Sequence, residues 1–414
     1  MPIELSGITF TEQDDLVAES GEEEILNNGF ANTLAGNDLI FGNSENSINS
    51  STQQRISGVY NIGTLDTDDG NDLIIGTGKN NDLILASVRN TISGIHNIGT
   101  LNTGNGNDVI LGIRYKQEEY NSSFDNSYSY GIYHQRGLID TGDGDDIITG
   151  FSEVSMSEGI YLYSGNPYSD DKGATINTGN GNDTITGTGN RSGIDISGSR
   201  SISNGSSIDT GNGNDIIRGT GIDYGINFNS ANNSIDTGKG DDIITGTGNW
   251  AIGIYSSSSY VNTGDGNDTI TGIGYTFSIY NKGTINTGDG NDVIIGSSPN
   301  NSDDGFMIND GIINTGNGED SIIFDKGFQG GGNVFLGNDK DYLRGFGYGN
   351  FNGGNDRDSL ELTSGSYTIG ILGAVVSFTK GANIMKTSEF EKLIAGSTTY
   401  DFTSLTDGQT ILVA

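Results

Sequence analysis

Several residue types are missing or scarce in this chain of 414 residues, and each shortage excludes a class of chemistry. There is no cysteine, which rules out a disulfide framework, thiol catalysis and thiolate metal sites. Basic residues number 19 against 54 acidic ones, and the net charge of −35 argues against nucleic acid or an anionic membrane as a partner. No apolar run approaches the roughly 20 residues of a membrane span. The N-terminus lacks a basic start followed by an apolar run, so we expect no cleaved secretory signal.

The residues that are present leave little material for an ordinary hydrophobic core. Only 32% of the chain is hydrophobic, and 68 residues are glycine. Such a composition is typical of disordered chains, because too little apolar surface is buried to offset the entropy of ordering. Two features would still permit folding: a repeat architecture that builds a thin core by stacking, and a cation that neutralises the excess carboxylates.

One motif recurs along most of the chain and carries the strongest signal. In the copy Ile176 to Asn190 it reads INTGNGNDTITGTGN. Relative to a fixed aspartate, every copy has glycine two residues before, threonine five residues before and isoleucine two residues after, and successive copies are 24 to 38 residues apart. The fixed aspartates are Asp72, Asp108, Asp146, Asp183, Asp215, Asp242, Asp268, Asp292 and Asp320.

This pattern predicts the fold class. Glycines at alternate positions indicate a sharp turn, and the short polar–apolar alternation on both sides indicates strands. We therefore predict three short strands per repeat, with one fixed turn and one variable loop, and repeats that stack to bury their isoleucines. The predicted fold is all-β: a right-handed parallel β-helix, or β-solenoid, over residues 36–327, with GxGxD turns stacked on one edge. An N-terminal cap over residues 1–35 and a small β-rich C-terminal domain over residues 328–414 would complete it.

Stacking has an electrostatic consequence for the fixed aspartates. They would form a column with a spacing of about 4.8 Å. Two unit charges about 4 Å apart repel by roughly 1 kcal/mol in water and about 4 kcal/mol at an effective dielectric constant of about 20. Only isolated basic residues, Arg218 and Lys239, stand near the motif, so the countercharge must come from elsewhere. Carboxylate and carbonyl oxygens suit calcium; a metal-free Asn/Asp ladder bonded along the stack is the alternative.

The nonapeptide x-G-x-G-x-D-x-I-x resembles the calcium-binding repeat of RTX, or haemolysin-type, proteins. Two degenerate copies follow, LGNDKDYLR from Leu336 to Arg344 and GGNDRDSLE from Gly353 to Glu361. In that family calcium sits between stacked turns, held by the aspartate and by turn carbonyls. The resemblance implies calcium ligands at the fixed aspartates named above and at Asp341 and Asp358. The chain departs from the family in its spacing, since family repeats run back to back.

The resemblance also implies a location and a function. The final residues, LTDGQTILVA, resemble the uncleaved C-terminal signals of RTX proteins exported by type I secretion. We predict a secreted calcium-binding protein with a structural, adhesive or surface role that folds on calcium binding and is not an enzyme. Its expected partners are calcium ions and, as a further candidate, an extracellular polysaccharide or cell-surface matrix.

Two surface features leave alternatives open. Tyrosines of the longer insertions either form an aromatic glycan-binding face or pack the insertions onto the stack. A threonine array from Thr103 to Thr315 would present hydroxyls if the chain were an ice-binding solenoid. The tyrosines concerned are Tyr115, Tyr120, Tyr128, Tyr130, Tyr133, Tyr161, Tyr163 and Tyr168.

A polysaccharide lyase or epimerase is the alternative from another functional class. This chemistry needs a base and a group that stabilises charge in one groove. The nearest approach to a basic cluster is formed by Arg114, Tyr115 and Lys116. The two histidines, His96 and His134, have no catalytic neighbours in sequence, and we expect them at the surface or at a coil edge.

Overall fold

A computed structural model describes residues 2–18, 24–46, 55–80, 90–116, 128–164, 173–198, 205–255, 258–299 and 305–414. These ranges consist of short β-strands joined by turns and contain no α-helix. Short 3₁₀ helices lie at Leu5–Gly7 and Phe402–Ser404. The predicted all-β class is therefore confirmed.

Most strands, numbered here in chain order, belong to three parallel ladders that each receive one strand per repeat. Ladder 1 holds the strands that follow the motif aspartate: β2 (Leu16–Ala18), β5 (Leu39–Asn46), β8 (Leu73–Asn80), β11 (Val109–Arg114), β14 (Ile147–Ser152), β17 (Thr184–Thr188), β20 (Ile216–Thr220), β23 (Ile243–Ile254), β25 (Thr269–Asn281), β27 (Val293–Ser297), β30 (Ser321–Phe324), β33 (Tyr342–Arg344), β35 (Ser359–Leu362) and β39 (Lys392–Ala395). An antiparallel strand, β40 (Thr398–Asp401), pairs with the last of them.

Ladder 2 belongs to the same 25-stranded sheet as ladder 1, because β23 and β25 are long enough to pair in both ladders. Besides the second halves of these two strands it holds β1 (Ile3–Glu4), β3 (Ile25–Asn27), β6 (Arg55–Asn61), β9 (Thr91–Asn97), β12 (Tyr128–His134), β15 (Glu158–Ser164), β18 (Ser192–Gly198), β21 (Tyr224–Phe228), β28 (Phe306–Asn309) and β31 (Phe328–Gln329).

Ladder 3 forms a second, 16-stranded sheet and holds the short strands that precede each GxGxD turn. Its parallel strands are β4 (Phe30–Asn32), β7 (Thr64–Asp66), β10 (Thr100–Asn102), β13 (Gly137–Asp140), β16 (Ala174–Asn177), β19 (Ser207–Asp209), β22 (Ser234–Asp236), β24 (Tyr260–Asn262), β26 (Thr284–Asn286), β29 (Ile312–Asn314), β32 (Asn333–Gly337), β34 (Gly349–Gly354) and β38 (Asn383–Ser388). The sheet ends in antiparallel strands β37 (Val375–Lys380), β36 (Gly365–Leu372) and β41 (Thr410–Val413).

The parallel register aligns equivalent motif positions of successive repeats. Ile110 of β11 pairs with Ile74 of β8 on one side and with Ile148 of β14 on the other. The order within a repeat is a ladder 2 strand, a ladder 3 strand, the GxGxD turn and a ladder 1 strand. This order confirms the prediction of three short strands per repeat with one fixed turn.

Most of the core is one cluster that receives an apolar column from each ladder, and Ile56 and Ile92 form a small separate cluster. Side chains point alternately to the two faces of a strand, so a three-residue strand supplies one core residue, whereas a longer strand such as β15 supplies two, Ile160 and Leu162. Ladder 1 supplies Ile74, Ile110, Ile148, Ile185, Ile217, Ile244, Ile270, Ile294 and Ile322; ladder 2 supplies Val59, Ile95, Ile132, Ile160, Ile194, Ile226, Ile252 and Ile279; ladder 3 supplies Leu65, Leu101, Ile139, Ile176, Ile208, Ile235, Val261, Ile285 and Ile313. Stacking of repeats thus builds a core that no single repeat could bury.

The glycine four residues after the motif aspartate lets ladders 1 and 2 approach each other. A Cβ atom on Gly112 would lie 2.4 Å from the carbonyl oxygen of Gly131 in ladder 2. In the last regular copy Phe324 replaces this glycine and packs its ring 5.3 Å from that of Phe328.

Parallel pairing begins at β1 and β2 and continues to β38 and β39. The ladders therefore continue across both predicted domain boundaries, at residues 35 and 327. The division of the chain into 1–35, 36–327 and 328–414 stays a prediction.

Candidate functional site

The GxGxD turn joins ladder 3 to ladder 1 and explains both motif glycines. In the copy that precedes β11, Gly104 has φ of 79° and Gly106 has φ of 149°, conformations that residues with a side chain rarely adopt. A Cβ atom on Gly106 would also lie only 1.5 Å from the carbonyl oxygen of Gly70 in the preceding repeat. Glycine is thus needed both for the turn and for the close stacking of turns.

Copies that lack a motif glycine keep a positive φ at its position, although φ at the second position falls from 126–151° for the glycines between Gly106 and Gly318 to about 80° for aspartate. Asp68, Asp339 and Asp356 stand in glycine positions and have φ values of 61°, 80° and 82°. Aspartate tolerates the left-handed region better than most residues, since its short side chain bonds locally. The degenerate copies therefore still form the turn.

The eleven aspartates predicted as metal ligands lie in one buried column, with each side chain at most 2% exposed. From Asp72 to Asp341, the backbone N–H of each of these aspartates donates to Oδ1 of the aspartate in the next repeat, at 2.7 to 2.8 Å. In order, the linked residues are Asp72, Asp108, Asp146, Asp183, Asp215, Asp242, Asp268, Asp292, Asp320, Asp341 and Asp358. The structure thus brings all of them together along one line.

The column is longer than the sequence motif indicates. Asp15 donates its N–H to Oδ1 of Asp38, and Asp38 donates to Asp72, each at 2.7 Å. At the other end Asp358 donates to Oε2 of Glu391 at 2.8 Å. Sequence reasoning missed Asp15 and Glu391 as members. The acid-x-leucine spacing of Glu391 and Leu393, which repeats the D-x-I of the motif, was the available signal.

The second carboxylate oxygen, Oδ2, divides the column into two classes. In some early repeats the motif threonine donates its hydroxyl to Oδ2, as Thr103 does to Asp108 at 2.6 Å and Thr67 to Asp72 at 2.5 Å. Among the described residues, eight motif aspartates have a buried Oδ2 without a hydrogen-bond partner. These open aspartates are Asp146, Asp215, Asp242, Asp268, Asp292, Asp320, Asp341 and Asp358.

The motif threonines are buried throughout the described repeats, and several lie beside the carboxylate but donate their hydroxyl to a backbone carbonyl oxygen. Thr263 donates its hydroxyl to the carbonyl oxygen of Thr287 at 3.2 Å, and Thr315 donates to that of Leu336 at 2.7 Å. Thr103 and Thr315 are both 0% exposed. The threonine column therefore presents no hydroxyl array to solvent, as an ice-binding surface would require.

Burial changes the acidity of the column. Removal from water, together with smaller contributions from the charges on neighbouring aspartates, raises the pKa of Asp146 to about 7 and that of Asp242 to about 8. Burial likewise raises the pKa of Asp268 to about 6 despite the hydroxyl of Thr263 and the N–H of Asp242, which lower it. Near neutral pH the column therefore carries charge only at a cost in free energy, which a bound proton or cation would relieve.

A second ladder of acidic and amide side chains lies outside the turn, one residue before each motif aspartate. Here the hydrogen bonds run in the opposite direction: Asn107 donates its N–H to Oδ1 of Asn71 in the preceding repeat at 2.7 Å. Hydrogen bonds from the N–H and side chain of Asn182 lower the pKa of Asp145. The inner and outer ladders together satisfy turn N–H groups that lack backbone partners, which accounts for the Asn, Asp or Glu before each motif aspartate.

The column offers few side-chain ligands to a metal ion. The described residues contain no group of three or more His, Cys, Asp or Glu side chains that could hold one. Eight turns supply one buried carboxylate with an unpartnered Oδ2 each, so an ion there would be shared between neighbouring turns and would draw its other ligands from carbonyl oxygens. Oxygen donors of this kind suit calcium.

Both histidines are buried, contrary to the expected surface or coil-edge position, and His96 lies on the outward side of ladder 2, where the rings of Tyr60 and Tyr133 cover it. His134 is 0% exposed, and its Nε2 lies 2.9 Å from the carbonyl oxygen of Thr175. His96 is 5% exposed. Burial lowers the pKa of His96 to about 3 and that of His134 to about 4, so both imidazoles are neutral.

The remaining sequence candidates separate into buried and exposed groups. Arg114 is 3% exposed and donates to the carbonyl oxygen of Tyr115, so its guanidinium is turned toward backbone. Tyr115 and Tyr128 are exposed. Tyr130, Tyr133, Tyr161 and Tyr163 stack on one another along ladder 2, whereas Tyr120 and Tyr168 lie outside the described residues.

No model of a known protein family matches the chain, and no curated protein shows significant sequence similarity to it. In the described part of the chain, no helix has the length and apolar character needed to cross a membrane.

Proposed function

We propose that this chain is a secreted, calcium-binding structural or adhesive protein, built as a right-handed parallel β-helix that takes up calcium along the aspartate column. One observation supports this most strongly: open aspartates such as Asp268 and Asp292 hold a buried Oδ2 with no hydrogen-bond donor. An unpaired buried anionic oxygen is costly, and a cation is the partner that would compensate for it. The resemblance of the motif to RTX repeats favours calcium.

The open aspartates would supply the protein ligands. From Asp215 to Asp358 every motif aspartate has an open Oδ2, so we place the main calcium-binding stretch there. Asp72, Asp108 and Asp183 have Oδ2 bonded by threonine and would bind calcium more weakly, since the hydroxyl competes for the oxygen. When bound, calcium would supply positive charge to the interior of the turn stack.

This arrangement couples folding to the ion. Without calcium the folded state must hold closely spaced buried carboxylates or their protonated forms, and the net charge of −35 adds repulsion. A ligand that binds only the folded state stabilises it by mass action. We propose that the protein is weakly folded where calcium is scarce, as inside a cell, and folds after export. The C-terminal residues that resemble a type I secretion signal fit this order of events.

Far-ultraviolet circular dichroism combined with chemical denaturation tests the proposal. The purified chain is treated with chelator and titrated with calcium, and magnesium serves as the control because it demands a smaller octahedral site. We expect calcium to raise the denaturation midpoint strongly and magnesium to raise it little. An identical spectrum and midpoint with chelator and with calcium would overturn the proposal and leave the metal-free ladder.

A further inference from the structure

Aromatic rings form a row along the outward side of ladder 2. In-register pairing places Tyr60, His96, Tyr133 and Tyr161 at equivalent positions of successive repeats. Their ring centroids are 5.0, 4.5 and 5.6 Å apart in that order. Parallel strands with identical register bring rings of neighbouring repeats into contact. The row therefore follows the stacking direction of the repeats.

The row is interrupted in the middle of the chain, where smaller residues replace the rings. Asp195 pairs with Tyr161, Asn227 pairs with Asp195, and Gly253 follows before Tyr280 restores a ring. The loss of rings leaves a cleft of about 330 Å³. This volume lies within the range of small-molecule sites, about 300 to 1,000 Å³. Its lining includes Arg191, Asp195, Tyr224, Asn227, Trp250 and Tyr255.

One wall of this aromatic cleft is formed by stacked rings. The ring centroids of Trp250 and Tyr255, which line the cleft, are 5.7 Å apart at an interplanar angle of 31°. Tyr280 lies outside the lining and stacks on both, with its centroid 5.9 Å from that of Trp250 and 4.9 Å from that of Tyr255. Gly253 makes room for this wall, since a Cβ atom there would lie 2.7 Å from Cε2 of Tyr255. Trp250, Tyr255 and Tyr280 are half-buried, so part of each ring faces the solvent.

The floor of the cleft is polar and almost fully buried. The Asp195 side chain is 1% exposed, and its Oδ2 accepts hydrogen bonds from Nδ2 of Asn227 at 3.0 Å and from Nη2 of Arg191 at 3.3 Å. Its Oδ1 accepts a hydrogen bond from the hydroxyl of Ser197. Arg191 also forms an ion pair with Glu158, whose side chain is 5% exposed. Asn227 is 4% exposed, and its Oδ1 has no hydrogen-bond partner. A buried acceptor without a donor is unusual in a folded protein, so this oxygen is available to a hydrogen-bond donor that enters the cleft.

The charge of the floor constrains the ligand. One guanidinium, that of Arg191, faces two carboxyl groups, and burial raises the pKa of Glu158 to about 8. The cluster is therefore close to neutral at physiological pH, in a chain with a net charge of −35. Uronic acid polymers and phosphate-bearing ligands would be repelled. A ligand must combine an apolar face for the rings with neutral hydroxyls for Asp195, Arg191 and Asn227.

We propose that the aromatic cleft binds a neutral hexose oligosaccharide, with the C–H face of one sugar ring on Trp250 and Tyr255 and its hydroxyls on Asp195, Arg191 and Asn227. Flat rings with a few polar groups at the base are the general pattern of such sites. Because the aromatic row continues on both sides, through Tyr161 and through Tyr280, the ligand would be a straight chain laid along the stack. This deepens the adhesive part of the proposed function, since it names the partner, and does not depend on calcium uptake.

Fluorescence is the direct test, because Trp250 is the only tryptophan of the chain. Cellohexaose and β-1,4-mannohexaose, which are straight neutral hexose hexamers, are titrated into the folded full-length protein, with glucose as the short ligand and polygalacturonate as the anionic one. We expect a saturable change in Trp250 emission with at least one hexamer, affinity at least about tenfold weaker for glucose, and no response to polygalacturonate. No change with either hexamer at millimolar concentration would overturn the proposal.

A variant pair separates cleft binding from adsorption elsewhere. Asn227→Leu removes the unpartnered acceptor and should weaken hexamer binding about tenfold or more, whereas Tyr348→Ala removes an exposed ring outside the cleft lining and should leave it unchanged. Equal affinities in wild type and Asn227→Leu, with circular dichroism showing that the variant is folded, would contradict the site.

Repeating the hexamer titration in chelator, on protein that retains its β-sheet circular dichroism spectrum, separates the cleft proposal from the calcium proposal. Hexamer binding without any calcium uptake would overturn the calcium proposal alone. Calcium uptake by a protein that binds no hexamer would overturn the cleft proposal alone.

Discussion

The backbone N–H of Asp268 donates a 2.8 Å hydrogen bond to Oδ1 of Asp292 in the next repeat, while Oδ2 of Asp292 stays buried without a partner. One oxygen of each carboxylate thus has a structural function, and the other is available. The ladder and the cation interpretations of the motif are therefore compatible, because they use different atoms of the same side chain.

Replacing an open aspartate by asparagine should stabilise the calcium-free protein. Asp268→Asn keeps an oxygen acceptor for the N–H of Asp242 and removes a buried unpaired charge, so we expect the free energy of unfolding in chelator to rise by about 1–3 kcal/mol. Asp108→Asn is the matched control, since Thr103 already donates to Oδ2 of Asp108. It should give no gain. Urea denaturation in chelator measures the free energy of unfolding of both variants. An equal gain in the two would contradict the division into aspartates with an open Oδ2 and aspartates with a threonine-bonded Oδ2.

The stability of the calcium-free protein should fall as pH rises from about 4 to about 8. Burial raises the pKa of Asp146 to about 7 and that of Asp242 to about 8, whereas aspartate in an unfolded chain titrates near about 3.9. Between these values the folded state binds more protons than the unfolded state, so removing protons favours unfolding. Denaturation midpoints in chelator across this pH range test the sign. Midpoints that rise steadily toward pH 8 would refute it.

The motif glycines should be irreplaceable for packing reasons. In Gly290→Ala the new methyl group would lie 1.8 Å from the carbonyl oxygen of Gly266, at a φ of 141°. We expect a loss of more than about 3 kcal/mol in the free energy of unfolding. Gly7→Ala meets nothing within 4 Å and should change it by less than about 0.5 kcal/mol. Thermal melts of the two variants should differ accordingly, and similar melts would argue against close turn stacking.

Neighbouring isoleucines of β29 should differ sharply in importance. Ile313 is 0% exposed in the core, whereas Ile312 is 41% exposed. Ile313→Ala should cost about 2–5 kcal/mol in the free energy of unfolding through lost burial and a cavity, and Ile312→Ala less than about 1 kcal/mol. Denaturant titration in calcium-containing buffer compares them. A larger loss for Ile312→Ala would mean that the register of ladder 3 is shifted by one residue.

Much of the architecture could be predicted from the sequence because the same residue pattern recurs in every repeat. Isoleucine two residues after the aspartate, glycine four residues after it and the alternating glycines before it each serve one contact that recurs between repeats. The isoleucine packs in the core. Because Gly112 and Gly106 have no Cβ atom, the carbonyl oxygens of Gly131 and Gly70 can lie close to them. The sequence of one repeat is sufficient to predict these contacts, since each motif position packs against the same position of the preceding and the following repeat.

The features that escaped prediction depend on register or on side-chain orientation. The hydroxyl of Thr103 points to a carboxylate and that of Thr263 to a carbonyl, although the two residues hold the same motif position. Glu391 joins the aspartate column only because Lys392 pairs with Ser359. The aromatic cleft combines Arg191, Asn227 and Trp250, none of which recurs at its motif position, so no repeat pattern could reveal it.

Equilibrium dialysis with radioactive calcium tests the central claim most directly, by comparing wild type with Asp268→Asn and Asp108→Asn. The open Oδ2 of Asp268 predicts that the wild type binds several ions at millimolar calcium, that Asp268→Asn binds fewer, and that Asp108→Asn binds nearly as many as the wild type. A folded wild-type protein that binds no calcium, or an equal loss in both variants, would contradict the assignment of the ion to the open aspartates.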